Sequence, residues 1–432
     1  MDPTEKGWVA KFIEKRCDNF EFKENDKLSF EEELYKHLQP TGILYGHPIK
    51  LPYNFINTDE FPIKERLEVI FAESLISAYL IHYSYYSPSY ENMESTVVEL
   101  TVFYQKLYPK IDKTKFFEAK PKTEFEKLEK ILHNRVQVKK EWNTGFWRGF
   151  FQNILLYVDI IILIKYLESD KNMSSKELQD LNKEMQWNII YLLSVTIQLT
   201  QSEKKETNSF LQYFIDSTSF TKEEKEEAMV VVKDNNISKV YDFLNKSNWV
   251  TKKYFLELAL LSIWADHKVK LSEKVFIEKL SKKLNLEHID VVASTLAIET
   301  FVLNNWTKIH YLQEKQNYLV LSKRLTQRMT LLSHKYVNEI KQEIEEDKEL
   351  IQLLNIAQKR PLSIEEKNTV RQQLVDVLKT IPTFIILALP GAFLTVPILM
   401  KILPKEALPS SFDPNKLSPI SSIKGRNRII EG

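Results

Sequence analysis

One local signal recurs from end to end of the chain: a Ser or Thr followed three residues later by Glu, just ahead of an amphipathic run. It occurs at Ser29/Glu32, Ser174/Glu177, Thr221/Glu224 and Ser363/Glu366. In this arrangement the hydroxyl accepts from the backbone N–H three residues on, while the Glu carboxylate reaches back to the first N–H. Each pair therefore satisfies donors that a helix start leaves open. Strand signals are scarce, because β-branched stretches such as Val230 to Val232 lie inside segments that also keep helical spacing. The pattern predicts an all-α fold.

Composition narrows the function classes. Sixty Lys and Arg stand against 59 Asp and Glu, a formal charge of +1, so the global basic field that draws proteins onto nucleic acid is missing and no specific DNA binding is expected. Only eight glycines occur in 432 residues, whereas the phosphate-cradling loops of nucleotide enzymes need several in close register. Cys17 is the sole cysteine, which rules out an internal disulfide framework and fits a reducing compartment. The first residues, MDPTEKGWVAKFIEKRC, carry charges every few positions where a secretion signal needs an apolar core.

The chain reads as five regions. Residues 1–170 form an N-terminal helical domain, broken by a turn-rich loop from Gln39 to Pro62 and by a second break from Pro109 to Pro121. Its most apolar stretch, FFQNILLYVDIIILIKYLE, is interrupted by Asp159 and ended by Lys165. It is therefore a buried core helix rather than a span. Residues 171–304 form a second helical domain. Residues 305–379 read as long amphipathic helices, a stalk or hairpin, with Leu312, Leu319, Leu325, Met329, Leu332, Tyr336, Ile340 and Ile344 along one face. Residues 380–404 are the hydrophobic segment, and residues 405–432 are a Pro/Ser-rich tail that reads as disordered.

From Thr380 to Met400 the sequence TIPTFIILALPGAFLTVPILM has no charge and lies between Lys379 and Lys401. As one helix it would extend about 31 Å, close to the thickness of the hydrocarbon core. Pro382, Pro390 and Pro397 each remove a backbone hydrogen bond, and Pro390-Gly391 is a turn signal. A spanning helix, a re-entrant or interfacial hairpin, and a buried hairpin all satisfy the pattern. Lys401, Lys405, Lys424, Arg426 and Arg428 oppose translocation of the tail.

The pattern Asp376, Lys379, Pro382, Pro390, Pro397, Lys401, Pro404, followed by Leu408, Pro409, Ser410, Ser411 and Phe412, resembles the membrane segment of the LETM family, in particular bacterial LETM-related proteins labelled biofilm-associated. The resemblance implies a membrane-associated protein with the lipid bilayer as a partner, at the bacterial inner membrane with the bulk of the chain cytoplasmic. It also brings two other roles of the family, cation/proton exchange and ribosome contact. The family's segment has a Glu three residues after its second proline, where Phe393 stands here, so the segment lacks the ionisable group that marks an intramembrane ion path. The family's ribosome-binding module follows the LPSSF position, whereas 20 residues follow Phe412 here. A weaker resemblance lies in residues 256–286, similar to TerB-like tellurite-resistance domains. That family's acidic turn maps to Asp266 and Glu273 as weak metal candidates; helix capping by Asp266 and Ser272 is the plainer reading.

No HExxH pair or comparable histidine spacing is present, and Cys17 has no recognisable catalytic partner. No cofactor and no small-molecule substrate are indicated. Tyr79, Tyr83, Tyr85, Tyr86 and Tyr90 cluster around a helix end as core packing or a partner face. Lys139-Lys140 and Lys282-Lys283 read as solvated faces, and residues 424–428, KGRNR, as a solvated tail or a contact for anionic headgroups. The expectation is a non-enzymatic membrane-associated scaffold with an unidentified protein partner and a role in envelope or biofilm behaviour.

Overall fold

The computed structural model of the protein describes residues 1–19, 29–49, 51–52, 56–84, 89–111, 120–137, 153–200, 211–212, 214–231, 237–264, 271–304, 315–379 and 395–409. Among these residues every regular element is a helix, as the capping pattern predicts. The chain divides into two compact units, residues 1–298 and 299–432.

The first unit contains α1 (Trp8–Asn19), α2 (Phe30–Leu38), α3 (Ile63–His82), α4 (Tyr90–Leu107), α5 (Glu124–Arg135) and α6 (Leu155–Glu168). These are followed by α7 (Ser175–Thr200), α8 (Lys222–Val231), α9 (Ser238–Asn245), α10 (Trp249–Trp264), α11 (Leu271–Lys283) and the start of α12 (His288–Asn304), which runs past residue 298 into the second unit. All four anticipated capping boxes form, with the hydroxyl accepting at 3.1 to 3.3 Å and the carboxylate at 2.8 to 3.0 Å. Ser89 with Asn92 makes a further one at α4 that a search for Glu alone overlooks.

Helix α6 is the centre of this unit. It packs against α3 and α7, and every residue from Leu155 to Leu167 except Lys165 is buried. Burying each Leu or Ile there contributes about 1.5–3 kcal/mol. Asp159, which interrupts the apolar run, is held by a two-point ion pair with Arg135 at 2.8 and 3.0 Å. It also accepts hydroxyls from Tyr104 at 3.2 Å and Tyr108 at 2.9 Å. Tyr108 in turn accepts from Asn182 at 3.2 Å, whose side-chain oxygen accepts from Gln186 at 2.7 Å. One carboxylate thereby ties together α4, α5, α6 and α7.

A second buried pair crosses α1 and α3. Arg16 and Glu73, both 0% exposed, meet at 2.7 and 3.0 Å, and Ser77 donates to Glu73 at 2.6 Å. Burial alone would raise the Glu73 carboxyl, but the Arg16 guanidinium and the hydrogen bonds from His37 and Arg16 outweigh it and hold it down at about 2.

The stretch from Gln39 to Pro62, read from sequence as a break between helices, instead starts with two short 3-10 turns, Gln39–Thr41 and Ile43–Tyr45, that enter the core. Gly42 sits between them at φ +81, and a Cβ there would lie 2.1 Å from the His47 carbonyl, so only glycine fits. The reversal delivers Tyr45 to the Glu257 carboxylate of α10 at 2.8 Å, and Tyr35 of α2 donates to the same carboxylate. The turn near residue 170, where Asp170 and Lys171 take positive φ, lies inside this unit. Lys171 there meets Glu99 at 3.3 Å and covers the rings of Tyr79 and Tyr83. Of the tyrosine cluster, Tyr79 is thus core, Tyr90 is 42% exposed, and Tyr85 and Tyr86 lie outside the described residues.

Two measurements test this frame. Arg135→Met should destabilise by about 3–5 kcal/mol in urea unfolding, because it strands the Asp159 charge, and pairing it with Asp159→Leu should recover most of that loss. Because the folded pKa of Glu73 is depressed below its ordinary 4.5, its stabilisation is complete above that pH and is lost as pH falls towards about 2. Glu73→Gln should therefore flatten the acid side of a plot of urea midpoint against pH.

Candidate membrane-segment site

The second unit contains α13 (Lys315–Lys335), α14 (Val337–Glu346), α15 (Lys348–Lys359), α16 (Ile364–Lys379) and α17 (Val396–Ile402). The run read as a stalk is divided at Tyr336 and at Asp347, whose carboxylate accepts from the Leu350 N–H at 2.9 Å and starts a new helix. Successive helices pack on one another: α13 on α14, α14 on α15, α15 on α16. Leu325, Met329, Leu332, Ile340 and Ile344 are buried as their spacing predicts.

Helix α16 opens on the Ser363/Glu366 box, reinforced by Arg360, which grips Glu366 at 2.7 and 2.8 Å. It buries Val370, Leu374, Val375, Val377 and Leu378. Asp376 faces outward and accepts from Gln372 at 3.2 and 3.3 Å. Lys379 ends the helix. Pro382, Pro390, Gly391 and Phe393 lie outside the described residues.

The chain re-enters at Thr395, which is extended (φ −79, ψ 146), and Pro397 in the first turn opens α17. A proline here costs little, since its missing N–H is one a helix start leaves unpaired. Val396, Leu399, Met400 and Ile402 are buried, and Lys401 is exposed. The end of α17 is held by hydroxyls of α13: Thr330 donates to the Lys401 carbonyl at 3.4 Å and Ser333 donates to that of Ile402. Two carbonyls that a helix end leaves open are thus satisfied by another element. Pro404 is buried, Lys405–Ala407 form a 3-10 turn against α14, and Leu408 is 7% exposed.

Two expectations change. The 21-residue apolar run is not one helix, because an extended Thr395 separates α17 from what precedes it; among the described residues no helix is long and apolar enough to cross a membrane. The start of the tail is structured rather than disordered: residues 405–407 form a 3-10 turn in which Lys405 and Glu406 are exposed, while Ala407 and Leu408 are buried. Ser410, Ser411 and Phe412 lie outside the described residues, as does residue 409's continuation through 424–428. Asp266 also falls outside them, as does the side chain of Glu273, so the metal candidates have no geometry to report. Among the described residues no three His, Cys, Asp or Glu converge as a metal set.

Sequence pattern alone marked Asp159 but missed the interior carboxyls of Glu73, Glu257 and Glu299. Glu257 is pushed well above the ordinary carboxylate range by burial, with a hydrogen bond from Ser294 opposing. Lys253, one turn earlier, donates to Ser294 at 2.6 Å and to the Asp290 carbonyl at 2.9 Å, and burial lowers its ammonium to about 7. Glu299 of the second unit, also raised by burial, is met by Arg328. A charged residue three or four positions from another within an apolar helix is the signal that could have flagged the Lys253 and Glu257 pair.

Residues 362–421 match the family model described as LETM1-like, RBD. The match covers α16, α17 and the turn after it, and supports a relation to the LETM-related family over that stretch. No curated protein and no solved structure matches the chain.

Ser333→Ala should leave the Ile402 carbonyl unsatisfied and cost about 1–3 kcal/mol. Hydrogen exchange should show faster exchange in residues 396–408 with little change in the first unit.

Proposed function

We propose, from the LETM-like match at residues 362–421, that this protein is a membrane-associated, non-enzymatic scaffold whose apolar residues 380–394 enter one face of the bilayer and return to it. One observation carries the reading: α16, which ends at Lys379, and α17, which begins at Val396, pack directly on each other. Both ends of the intervening stretch are therefore anchored to the same unit. Fifteen residues as a helix would extend about 22 Å, short of the roughly 30 Å hydrocarbon core. A re-entrant or interfacial insertion satisfies both the apolarity of the stretch and the proximity of its ends, and irregular backbone around Pro382 and Pro390 is acceptable where neighbouring groups meet its polar atoms.

The scaffold half of the reading is supported by how the first unit satisfies its interior carboxyl groups. Asp159, Glu73 and Glu257 are each engaged by partners inside the fold, which suits a rigid platform for another protein. The family resemblance implies the cytoplasmic face of the bacterial inner membrane and a role in envelope or biofilm behaviour. A second reading, ribosome contact at the membrane, is favoured by the RBD in the matching description, since the family resemblance carries a ribosome-binding module. It predicts cosedimentation with ribosomes that is lost as salt rises; no cosedimentation at low salt removes it.

The test uses the full-length chain and vesicles of phosphatidylethanolamine and phosphatidylglycerol. Wild type should float with the vesicles, and a variant with residues 380–394 replaced by a Gly-Ser linker should stay at the bottom of the gradient. In a Cys17→Ser background, cysteines at Thr380 and Thr395 should both react with an impermeant maleimide from the same side. Labelling from opposite sides would establish a crossing segment and overturn the re-entrant reading.

A further inference from the structure

Helix α13 carries Lys315, Lys323, Arg324, Arg328, His334 and Lys335 and no Asp or Glu. Helix α14, which follows it, has the opposite balance, with Glu339, Glu343, Glu345 and Glu346 against Lys341. A helix that is merely solvated usually mixes the two signs along its surface. Here they are sorted by helix.

Arg324, Gln327, Leu331 and Lys335 recur at three and four residues, which places them on one face of α13. All four are exposed, and exposed Lys323 and His334 flank them. The other side of the helix is core, where Leu325, Met329 and Leu332 are buried. Arg328, at the edge, is taken by Glu299, which is 1% exposed. Among these cations Leu331 is 55% exposed. An aliphatic side chain bared between Lys and Arg suits a helix lying on a bilayer, its apolar group in the interface and its cations at the phosphates. RNA calls instead for aromatic rings on which bases stack, and Lys323 to Lys335 contains no Phe, Tyr or Trp.

The basic helix also lies beside the apolar stretch. Its Thr330 and Ser333 hold the carbonyls of Lys401 and Ile402 at the end of α17. Helix α17 has seven residues, so those carbonyls are about 10 Å from the point where the chain returns at Thr395. A charge acts over about the same distance at roughly 0.1 M salt. Exposed Lys401 and Lys405 continue the basic surface, with Glu406 as an exposed acidic neighbour. We infer that the exposed face of α13, together with Lys401 and Lys405, binds the phosphates of anionic lipid headgroups such as phosphatidylglycerol, with Leu331 set among the first acyl carbons. The inference rests on the membrane-associated reading above and names the lipid class that reading leaves open.

The experiment titrates the full-length protein with vesicles of phosphatidylcholine and with vesicles in which phosphatidylglycerol replaces part of it. Wild type should reach half-binding at a lipid concentration at least about tenfold lower on the phosphatidylglycerol vesicles, an advantage that shrinks as salt rises. The combined variant Arg324→Gln, Lys335→Gln, Lys401→Gln and Lys405→Gln should bind both vesicles alike, with the urea midpoint of wild type, since all four side chains are exposed. In a Cys17→Ser background, an environment-sensitive dye at Leu331→Cys should shift to the blue on the phosphatidylglycerol vesicles, while the same dye at Lys341→Cys on α14 should not. Equal wild-type binding to the two vesicles overturns the headgroup inference and leaves insertion of residues 380–394 standing. So does a preference for phosphatidylglycerol that the four substitutions leave intact, or an unshifted dye at Leu331→Cys. A chain with 380–394 replaced by a Gly-Ser linker that still floats on phosphatidylglycerol through these four cations defeats insertion and upholds the headgroup site. Binding to neither vesicle defeats both readings. A uridine oligomer that displaces wild type from the vesicles at equal phosphate concentration gives the face to RNA and overturns the inference.

Discussion

The ion pair between Arg135 and Asp159 is the interaction on which the first unit depends. A carboxylate in the middle of an otherwise apolar buried helix is tolerable only if its charge is neutralised and its lone pairs are occupied. The two guanidinium contacts and the hydroxyls of Tyr104 and Tyr108 do both. Because those donors come from α4 and α5, the packing of both helices on α6 is specified by direction as well as by apolarity. The chain of hydrogen bonds continues through Asn182 and Gln186 to Ser219, at 2.9 Å from its backbone N–H, so the orientation of α7 and of the stretch before α8 is set by the same network.

The same logic recurs where α2 and the turns after it meet α10. Glu257 accepts hydroxyls from two tyrosines rather than a cation, and burial keeps its carboxyl protonated well above the usual range. A neutral acid can be buried among hydroxyls at far lower cost than an anion. Interior polar groups thus choose between being charged and paired, as at Glu73 and Asp159, and being neutral and hydrogen-bonded, as at Glu257.

In the second unit the deciding constraint is closure. By composition an apolar run of bilayer length calls for a bilayer; of its last five residues, Val396, Leu399 and Met400 are instead buried in a helix that packs on α13 and α16. Prolines act as punctuation here. Pro397 starts α17 where no N–H is missed, and buried Pro404 turns the chain onto α14. The stretch between α16 and α17 thus starts and ends on two helices that pack on each other.

Much was determined by the sequence alone. The four Ser/Thr-to-Glu pairs placed helix starts correctly because capping is a local interaction, complete within four residues. The burial of the 155–168 helix was equally legible, since Asp159 and Lys165 made the apolar run too short for a membrane. The heptad-like face from Leu325 to Ile344 was right about what is buried, yet it was silent on breaks at Tyr336 and Asp347, because periodicity survives a short interruption in the helix. Only the tertiary structure decided which partner each buried charge takes, that the glycine-bearing turns after α2 serve the core, and that α16 and α17 lie together. Those outcomes depend on residues 24 to 222 positions apart in the chain, such as Arg135 with Asp159 and Tyr35 with Glu257, and no local pattern encodes contacts at such separations.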